Sequence, residues 1–248
     1  MKRPIFSIFT IVSVAMAMIC SLALFIACDD DDEYDEDLTE IVDDNSSDYD
    51  SDNSSNSNNK ISATDTINGY ECVDLGLSVK WAMCNIGASN NFPTEYGSYF
   101  AWGETDAKSK FTAFNSKTYE DEDMEDFSGN ATYDAATANW GSTWRMPTSY
   151  ECEELIDNCT WEWGTYLYEY IYSTGYVVTG PSGNSIFLPA GGISGNTYII
   201  KGEYGRYWSS SPDDSDSKVA YGLDFDDSDP YVGGNVRYCG LCIRPVSE

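Results

Sequence analysis

Histidine is absent from all 248 residues. The side chain that most often acts as a general base near neutral pH, and most often binds transition metals, is therefore missing. This absence excludes every catalytic triad that contains histidine and argues against most zinc sites. Paired carboxylates are numerous, but no spacing singles one pair out as catalytic. We therefore expect a protein that is not an enzyme.

Positive charge is also scarce. The chain has 13 lysines and arginines against 42 aspartates and glutamates, and its formal net charge is −29. Such a chain repels phosphate backbones and anionic membrane surfaces, which argues against nucleic-acid binding. The favoured partners are cationic, or are bridged through calcium. We expect no resident cofactor and leave calcium as the open alternative, because no twelve-residue calcium loop is present.

The N-terminus is typical of an export signal. A short basic start precedes an uncharged apolar run from residue 5 to residue 27. The segment Phe25-Ile26-Ala27-Cys28 resembles a bacterial lipobox, so residues 1–27 are predicted to be a signal peptide and Cys28 the lipidated N-terminus. An uncleaved transmembrane anchor is the alternative, since a run of this length can cross a bilayer.

An acidic, polar segment follows the predicted lipid site. Residues 29–59 contain 14 of the 42 acidic residues and none of the 13 basic ones. Residues 28–64 have too little apolar content to offset the entropy lost on ordering, so they are predicted to be a disordered tether. The run Asp29–Glu33 resembles the surface-export signal of Bacteroidetes lipoproteins. That resemblance implies a protein anchored by lipid to the outer membrane and exposed at the cell surface.

Residues 65–248 are predicted to form one α+β domain. Thr148-Ser149-Tyr150-Glu151 is a capping box that starts a helix, and the residues from 133 to 139 form a second short helical segment. Short apolar segments separated by Gly, Asn, Asp and Ser are typical of strands. The predicted strands are Tyr70–Val73, Ser78–Met83, Tyr99–Trp102, Tyr176–Thr179, Ser185–Leu188, Arg206–Ser210, Val219–Phe225 and Val236–Pro245.

The domain resembles a known family, the Fibrobacter succinogenes major paralogous domain, which is common in surface lipoproteins. The resemblance implies a C-type lectin-like fold, with small twisted antiparallel sheets, two helices, long loops and a loop-rich binding face. It names no ligand. The matching stretches are Val73–Ala82, Tyr96–Thr105, Trp144–Thr148, Asp157–Trp161, Ser185–Ala190, Gly205–Ser211 and Arg244–Val246.

The candidate binding face lies between residues 212 and 242. In relatives diversified by retroelements, this C-terminal stretch is the part that varies, and the residue types here fit that pattern. They also fit an ordinary acidic loop, and both readings stay open. The expected partner is an extracellular protein or glycan. The candidate binding residues are Asp213, Asp214, Asp216, Asp224, Asp226, Asp227, Asp229, Tyr231 and Tyr238.

Six cysteines remain once residues 1–28 are set aside, and an exported chain permits disulfides among them. Fifteen pairings are possible, and the sequence does not choose between them. The family fold implies that the first and last strands are neighbours, which would suit a bond from Cys72 to Cys239 or Cys242. The pair Cys239-Gly-Leu-Cys242 also has the spacing of a redox or metal pair. The disulfide candidates are Cys72, Cys84, Cys152, Cys159, Cys239 and Cys242.

Two aromatic segments complete the candidates. Trp161 and Trp163 alternate with Glu162 and are expected to face the core, with a sugar platform as the alternative. Tyr166, Tyr168, Tyr170 and Tyr172 alternate in the same way and would share one face of a strand, either as a binding hairpin or as ordinary packing. The sequence thus predicts a surface-anchored, non-catalytic recognition or adhesion domain, with a structural envelope component as the alternative.

Overall fold

The structure is a computed structural model that describes residues 61–248. The predicted signal peptide, Cys28 and nearly all of the predicted tether lie outside the described residues. Within the described part, no helix has the length and apolarity needed to cross a bilayer.

Residues 61–248 form twelve strands and two α-helices, which agrees with the predicted α+β class. The helices are α1 (Ala135–Trp140) and α2 (Ser149–Asn158). The strands are β1 (Asp65–Ile67), β2 (Tyr70–Val73), β3 (Lys80–Ala82), β4 (Thr160–Tyr168), β5 (Ile171–Thr179), β6 (Ser185–Pro189), β7 (Ile193–Ser194), β8 (Ile199–Ile200), β9 (Gly205–Pro212), β10 (Val219–Phe225), β11 (Tyr231–Val236) and β12 (Val246–Ser247).

The strands pair as four small antiparallel sheets, in the orders β1-β2-β3-β12, β4-β5-β6, β7-β8 and β9-β10-β11. The first sheet joins the two ends of the domain, because Val246 of β12 lies opposite Trp81 of β3. The last strand therefore shares a sheet with the first strands, but it pairs with β3, and β1 forms the opposite edge. The first and last strands are not direct neighbours, contrary to the expectation from the family fold.

Both predicted helices are present. Thr148 accepts a hydrogen bond from the Glu151 amide at 3.3 Å, and Glu151 Oε2 accepts one from the Thr148 amide at 2.8 Å, so the predicted capping box is complete. Cys152 and Leu155 form the buried face of α2. In α1 the side chain of Asp134 provides the N-cap by accepting from Thr137 N at 3.0 Å. Side-chain caps of this kind satisfy amides that have no partner inside the helix.

Four tryptophans occupy the core, as predicted: Trp81, Trp102, Trp144 and Trp208 are each at most 1% exposed. Two of them connect β9 to the segment at residues 100–102 of the same polypeptide, through hydrogen bonds from their indole N–H groups. Trp102 donates to Ser209 O at 3.0 Å, and Trp208 donates to Phe100 O at 2.8 Å. Such a partner offsets the cost of burying an indole N–H, whereas Trp81 Nε1 is buried without one among the described residues.

Arg244 is a buried positive charge that no carboxylate contacts among the hydrogen bonds and ion pairs of the described residues. Its guanidinium donates to three backbone carbonyls, of Ala82, Met83 and Phe187, and to Asn85 Oδ1 at 2.8 Å. Burial lowers the pKa of this group. The side chain joins the segment after β3 to β6 and to the C-terminus, so it holds the separate sheets together.

Two predicted strands are wrong. Tyr99–Trp102 makes only a single bridge, between Phe100 and Leu241, and Val236–Pro245 is not one strand. The chain turns after Val236, makes isolated bridges, and re-enters a sheet only at Val246. A short apolar run indicated the strand at Tyr99–Trp102. Apart from Val236, both segments pair with other parts of the domain only at isolated bridges, such as those of Phe100 with Leu241 and of Tyr207 with Cys242, so neither extends a sheet along its full length.

Candidate functional site

A groove of about 900 Å³ lies at one end of the β9-β10-β11 sheet. Tyr150 and Glu153 of α2 form one side, and Tyr221 and Val232 of the sheet form another. The loop joining β9 to β10 and the segment 122–126 complete the walls. The lining residues are Glu122, Met124, Glu125, Asp126, Ser149, Tyr150, Glu153, Ser211, Pro212, Asp213, Asp214, Ser215, Ser217, Tyr221, Val232 and Arg237.

The β9–β10 loop is shaped by Asp213. Its Oδ1 accepts from Ser215 N at 2.7 Å, Ser215 Oγ at 2.6 Å and Asp216 N at 3.0 Å, which forms a tight Asx-type turn. Partial burial opposes ionisation of Asp213, but these hydrogen bonds outweigh it and lower the pKa of the carboxyl. Asp213 is therefore a fixed negative charge at the groove.

A second acidic residue joins three walls. Asp126 accepts from Ser210 Oγ at 2.9 Å and from Ser211 Oγ at 2.5 Å. The Ser211 oxygen in turn accepts from the Ser149 amide, at the first turn of α2, at 3.0 Å. The segment 122–126, strand β9 and helix α2 are thereby connected through one carboxylate and one hydroxyl.

Arg237 is the one basic residue that lines the groove, and it is 1% exposed. Its guanidinium lies 4.2 Å from the Trp102 ring centre and donates to Asp121 O at 2.8 Å and to Val219 O at 3.2 Å. Burial lowers the pKa of this arginine, while Asp121, Asp216 and Asp213 oppose that shift. Its donors are used by backbone carbonyls, so it supports the floor of the groove.

The groove is strongly negative, because six carboxylate residues line it against this one buried arginine. A concave surface lined by one sign of charge concentrates the field and attracts ligands of opposite sign. Tyr150, which is 79% exposed, adds an aromatic face at the rim. An aromatic face beside carboxylates suits an ammonium or guanidinium group.

The predicted binding residues do not form a single surface. Asp213 and Asp214 line the groove, and Asp216 lies in the same loop. Asp226, Asp227 and Asp229 belong to the turn between β10 and β11, at the opposite end of β10. The seven residues of β10 separate the two groups by roughly 20 Å.

The two predicted tyrosines lie elsewhere. Tyr231 is an exposed residue at the start of β11. Tyr238 lies in the turn after β11 and packs edge-on against Tyr119, with ring centres 5.1 Å apart. Neither of them lines the groove.

Asp224 was predicted as a surface ligand and is instead buried, at 4% exposure. Asn235 donates to both of its carboxylate oxygens, at 2.9 and 3.2 Å, and Arg206 lies 3.8 Å away. Burial raises the pKa of Asp224 to about 6, against the opposing influence of Arg206 and Asn235. Leu223 and Phe225, the residues on each side of Asp224, point towards the core. Asp224 points to the opposite face of the sheet, where its cross-strand neighbours Tyr231 and Arg206 cover it.

The cysteines divide between two hydrophobic clusters, and Cys72 and Cys242, one of the suggested pairs, belong to different clusters. Cys72 and Cys84 belong to one cluster, while Cys152 and Cys242 belong to the other. Five cysteines carry free thiols, so no disulfide joins any two of them: Cys72, Cys84, Cys152, Cys159 and Cys242. Cys239 is half-buried at the edge of the first cluster.

Burial also makes these thiols unreactive. It raises the pKa of Cys84 and Cys159 to about 11 and that of Cys242 to about 12. Since the thiolate is the nucleophile and the metal ligand, thiols of this kind are poor at both roles near neutral pH. The alternative of a redox or metal pair at Cys239 and Cys242 is therefore not supported.

Calcium finds no ready-made ligand set in the described residues. Between residues 61 and 248, no three acidic, cysteine or histidine side chains converge as a metal site would require. One carboxylate oxygen of each of Asp213 and Asp226, Oδ1, accepts hydrogen bonds from its own loop.

The predicted tyrosine face is wrong. β4 ends at Tyr168, and a turn at Glu169, with φ of 54°, reverses the chain into β5. Tyr172 therefore lies opposite Leu167, while Tyr166 points to the other face and stacks on Phe187 with ring centres 5.1 Å apart. The hairpin combines ordinary packing near its base with an exposed tip.

The tryptophan prediction is confirmed. Trp161 and Trp163 share one side of β4, and both pack edge-on against Tyr176, at 5.2 and 5.0 Å between ring centres. They belong with the main hydrophobic cluster and do not line the groove.

Several groove residues were not predicted. The segment 119–126 is a dense acidic run, and the capping box at Thr148 places Tyr150 and Glu153 on exposed positions early in α2. Both signals are visible in the sequence. Nothing in the sequence shows, however, that these two segments face the β9–β10 loop.

Comparison with known proteins gives no relative from which a role could be transferred. No family model matches the chain, and neither the curated proteins nor the solved structures include a match. The case for a function therefore depends on the groove itself, on its charge and on the strands around it.

Proposed function

We propose that this protein is a surface-anchored lipoprotein whose domain is a non-catalytic recognition module, and that the acidic groove binds a cationic part of an extracellular protein partner. The observation that carries the proposal is the groove itself, with six carboxylate residues and an exposed tyrosine around an open cavity. Its one basic side chain, Arg237, is buried and held by carbonyls and a tryptophan ring, so a single cation stands against six carboxylate residues.

The fold proposed for the domain is C-type lectin-like. Its support is the sheet that joins both ends of the domain, together with two helices and long segments without regular structure. The motifs at Gly205–Ser211 and Arg244–Val246 contribute Trp208 and Arg244, which tie the sheets together in the core. In such a fold the function is carried by loops on a rigid frame.

The location proposed is the outer membrane surface, through a lipid on Cys28. Its support is the sequence alone: the apolar leader, the lipobox-like segment and the acidic run after it. Mass spectrometry of the native protein checks this, and an unmodified thiol at Cys28 or an intact leader would contradict it.

Binding through the groove is tested on the whole protein with a lysine-rich synthetic peptide at low salt, by calorimetry. The variant Glu125→Gln/Glu153→Gln/Asp214→Asn removes three exposed groove charges and should weaken binding roughly tenfold, since screened charge pairs each contribute a fraction of a kcal/mol to about 1 kcal/mol.

The matched control is Glu162→Gln/Asp227→Asn/Asp229→Asn, which removes three exposed charges away from the groove. Both variants have the same net charge, so the acidic N-terminal segment contributes equally to each. If the two variants weaken binding equally, the interaction is a general effect of charge and the groove is not the site.

A structural role in the envelope is the second candidate, and the β4–β5 hairpin favours it. Leu167, Tyr170 and Tyr172 at its tip are 45%, 78% and 70% exposed. Clustered exposed apolar groups often mark contacts between proteins. Concentration-dependent assembly of the whole protein that Tyr170→Ser/Tyr172→Ser abolishes would support this role; a monomer at all concentrations would contradict it.

A further inference from the structure

Strand β11 borders the groove and is an edge strand. Among the strands that the structure describes, it pairs with β10 on one side and with no strand on the other. Val232 of β11 lines the groove, so the free edge lies beside the acidic surface. A free strand edge offers unpaired N–H and C=O groups to another chain.

The register shows which backbone groups point outwards. Arg237 N donates to Lys218 O at 2.9 Å, and these two residues are directly opposite in the β10–β11 register. Hydrogen-bonded and non-hydrogen-bonded pairs alternate along an antiparallel ladder. The pairs of Gly234 with Tyr221 and of Val232 with Leu223 are therefore of the non-hydrogen-bonded kind, and Gly234 and Val232 direct their N–H and C=O away from β10.

The edge is also unobstructed at this point. Gly233 and Gly234 follow each other, and Gly234 is exposed. No side chain on Gly234 stands between its backbone and an approaching strand. Natural edge strands are commonly protected by lysine, proline or a bulge, and the segment Tyr231–Val236 contains no charged residue and no proline.

The charge beside the edge defines the partner. A Cβ atom placed on Gly234 would lie 3.8 Å from Asp213 Oδ2, so this carboxylate is adjacent to the edge on the groove side. Tyr221, the cross-strand neighbour of Gly234, lines the same groove. Side chains of an added strand that point to this face would meet Asp213 and the groove acids, which favours lysine or arginine at every second position.

The nine-residue edge strand β4 lacks this combination. β4 is the edge of the β4-β5-β6 sheet, but none of its residues lines the groove, and Glu162 is its only charged residue. β11 and β4 therefore differ in the charge beside them, and of these two edges β11 is the one that would select a cationic chain.

We infer that the domain binds an extended cationic peptide segment by strand addition to β11, with alternate basic side chains in the acidic groove. This inference rests on the proposed function and adds its mode: backbone hydrogen bonds to Gly234 and Val232 align the partner, and the groove acids select its side chains. The partner is a protein with an exposed extended segment that has a basic residue at every second position.

The first test uses the wild-type protein and three synthetic probes, measured by calorimetry. The parent peptide alternates lysine and threonine; one derivative is N-methylated at the lysines and the other at the threonines. In an added strand only every second residue directs its N–H towards β11, so methylation in one frame should reduce affinity about tenfold and methylation in the other frame should have little effect. Equal loss, or equal retention, in the two frames would overturn strand addition.

The second test changes the protein. Gly234→Pro removes the outward N–H and leaves the ladder to β10 intact, and Gly234→Ala is its matched control because it adds a Cβ but keeps the N–H. The added Cβ would lie 2.9 Å from a Val219 methyl, a side-chain end that can shift. Thermal unfolding verifies that both variants fold. The parent peptide should bind Gly234→Ala nearly as well as wild type and Gly234→Pro about tenfold more weakly.

Spermine, a cation without a peptide backbone, separates the two proposals. Suppose that spermine and the peptide both bind through the groove, and that neither the Gly234→Pro substitution nor methylation in either frame changes the affinity. Strand addition is then overturned, and binding of cations by the acidic groove stands. If neither spermine nor any lysine-rich peptide binds, both the inference and the proposed function are wrong.

Discussion

The two ends of β10 are similar in sequence and different in surroundings. Each end runs into a loop rich in aspartate, and each loop is folded by an aspartate that accepts from a serine two residues later: Asp213 from Ser215, and Asp226 from Ser228. At one end α2 and the segment 122–126 stand opposite the loop and enclose a groove. At the other end the turn contacts Tyr176 through the Ser228 carbonyl.

The comparison of the two loops shows that acidic composition by itself does not create a concave acidic surface. Both loops carry carboxylates, but a ligand gains from several of them at once only where walls bring charges from separate segments together. The groove draws acids from α2, from the 122–126 segment and from the β9–β10 loop.

The largest expected effect is on the pH dependence of stability, and it comes from Asp224, the buried acid near the β10–β11 turn. Because the pKa of Asp224 is raised to about 6, its contribution to stability is complete below its usual pKa and is lost as pH rises through 6. The shift of roughly two pH units corresponds to about 3 kcal/mol. We expect Asp224→Asn to remove most of the fall in unfolding free energy that wild type shows between pH 4 and pH 7, measured by denaturant unfolding.

Asp213, at the groove end of β10, provides the comparison for this pH profile. The pKa of Asp213 is lowered by its hydrogen bonds, so its contribution is present above the usual pKa and is lost as pH falls. Asp213→Asn should therefore alter the pH dependence below pH 4 and leave the region around pH 6 unchanged. The same profile for both variants would show that Asp224 is not the group that titrates near 6.

The next effect tests whether the groove walls are held by Asp126. Asp126→Ala removes hydrogen bonds from Ser210 and Ser211 and should reduce the free energy of unfolding by about 2 kcal/mol. Peptide binding should weaken as well, because the segment 122–126 would no longer be fixed against β9. Asp123→Ala, in the same acidic run, is the control, and an equal loss of binding in both variants would contradict a positioning role for Asp126.

A smaller effect compares the two loop aspartates directly. Asp213→Ala and Asp226→Ala each remove a turn-forming carboxylate, so each should destabilise by about 1 kcal/mol in denaturant unfolding. In calorimetry with a lysine-rich peptide, only Asp213→Ala should weaken binding, by roughly fivefold. Weaker binding of Asp226→Ala by the same factor would remove the distinction between the two ends.

The smallest effect is expected at the groove rim. Tyr150 is exposed on α2, so Tyr150→Ala should change the unfolding free energy by less than about 0.5 kcal/mol. If its ring contacts the cationic ligand, affinity for the peptide should fall about threefold, as an exposed cation–π contact would give. Tyr172→Ala, at the remote hairpin tip, is the control and should bind as wild type does.

The sequence determined the local elements. The capping box at Thr148, the strand Val219–Phe225 and the burial of four tryptophans follow from hydrogen-bonding chemistry and apolar periodicity within a few residues, and each was predictable. The absence of histidine and the excess of acid likewise led to the predictions about chemistry and partners, which stay predictions.

Tertiary structure decided which residues meet. Asp213 and Asp226 look alike in the sequence, and only the packing of α2 and of the 122–126 segment makes one of them part of a groove. From the sequence, Asp224 is indistinguishable from the acidic residues of the surface loops. In the structure its side chain lies on a face of β10 that neighbouring residues cover, and this burial raises its pKa. Contacts between segments far apart in the chain depend on how the whole domain packs, and a pattern of a few neighbouring residues does not specify that packing.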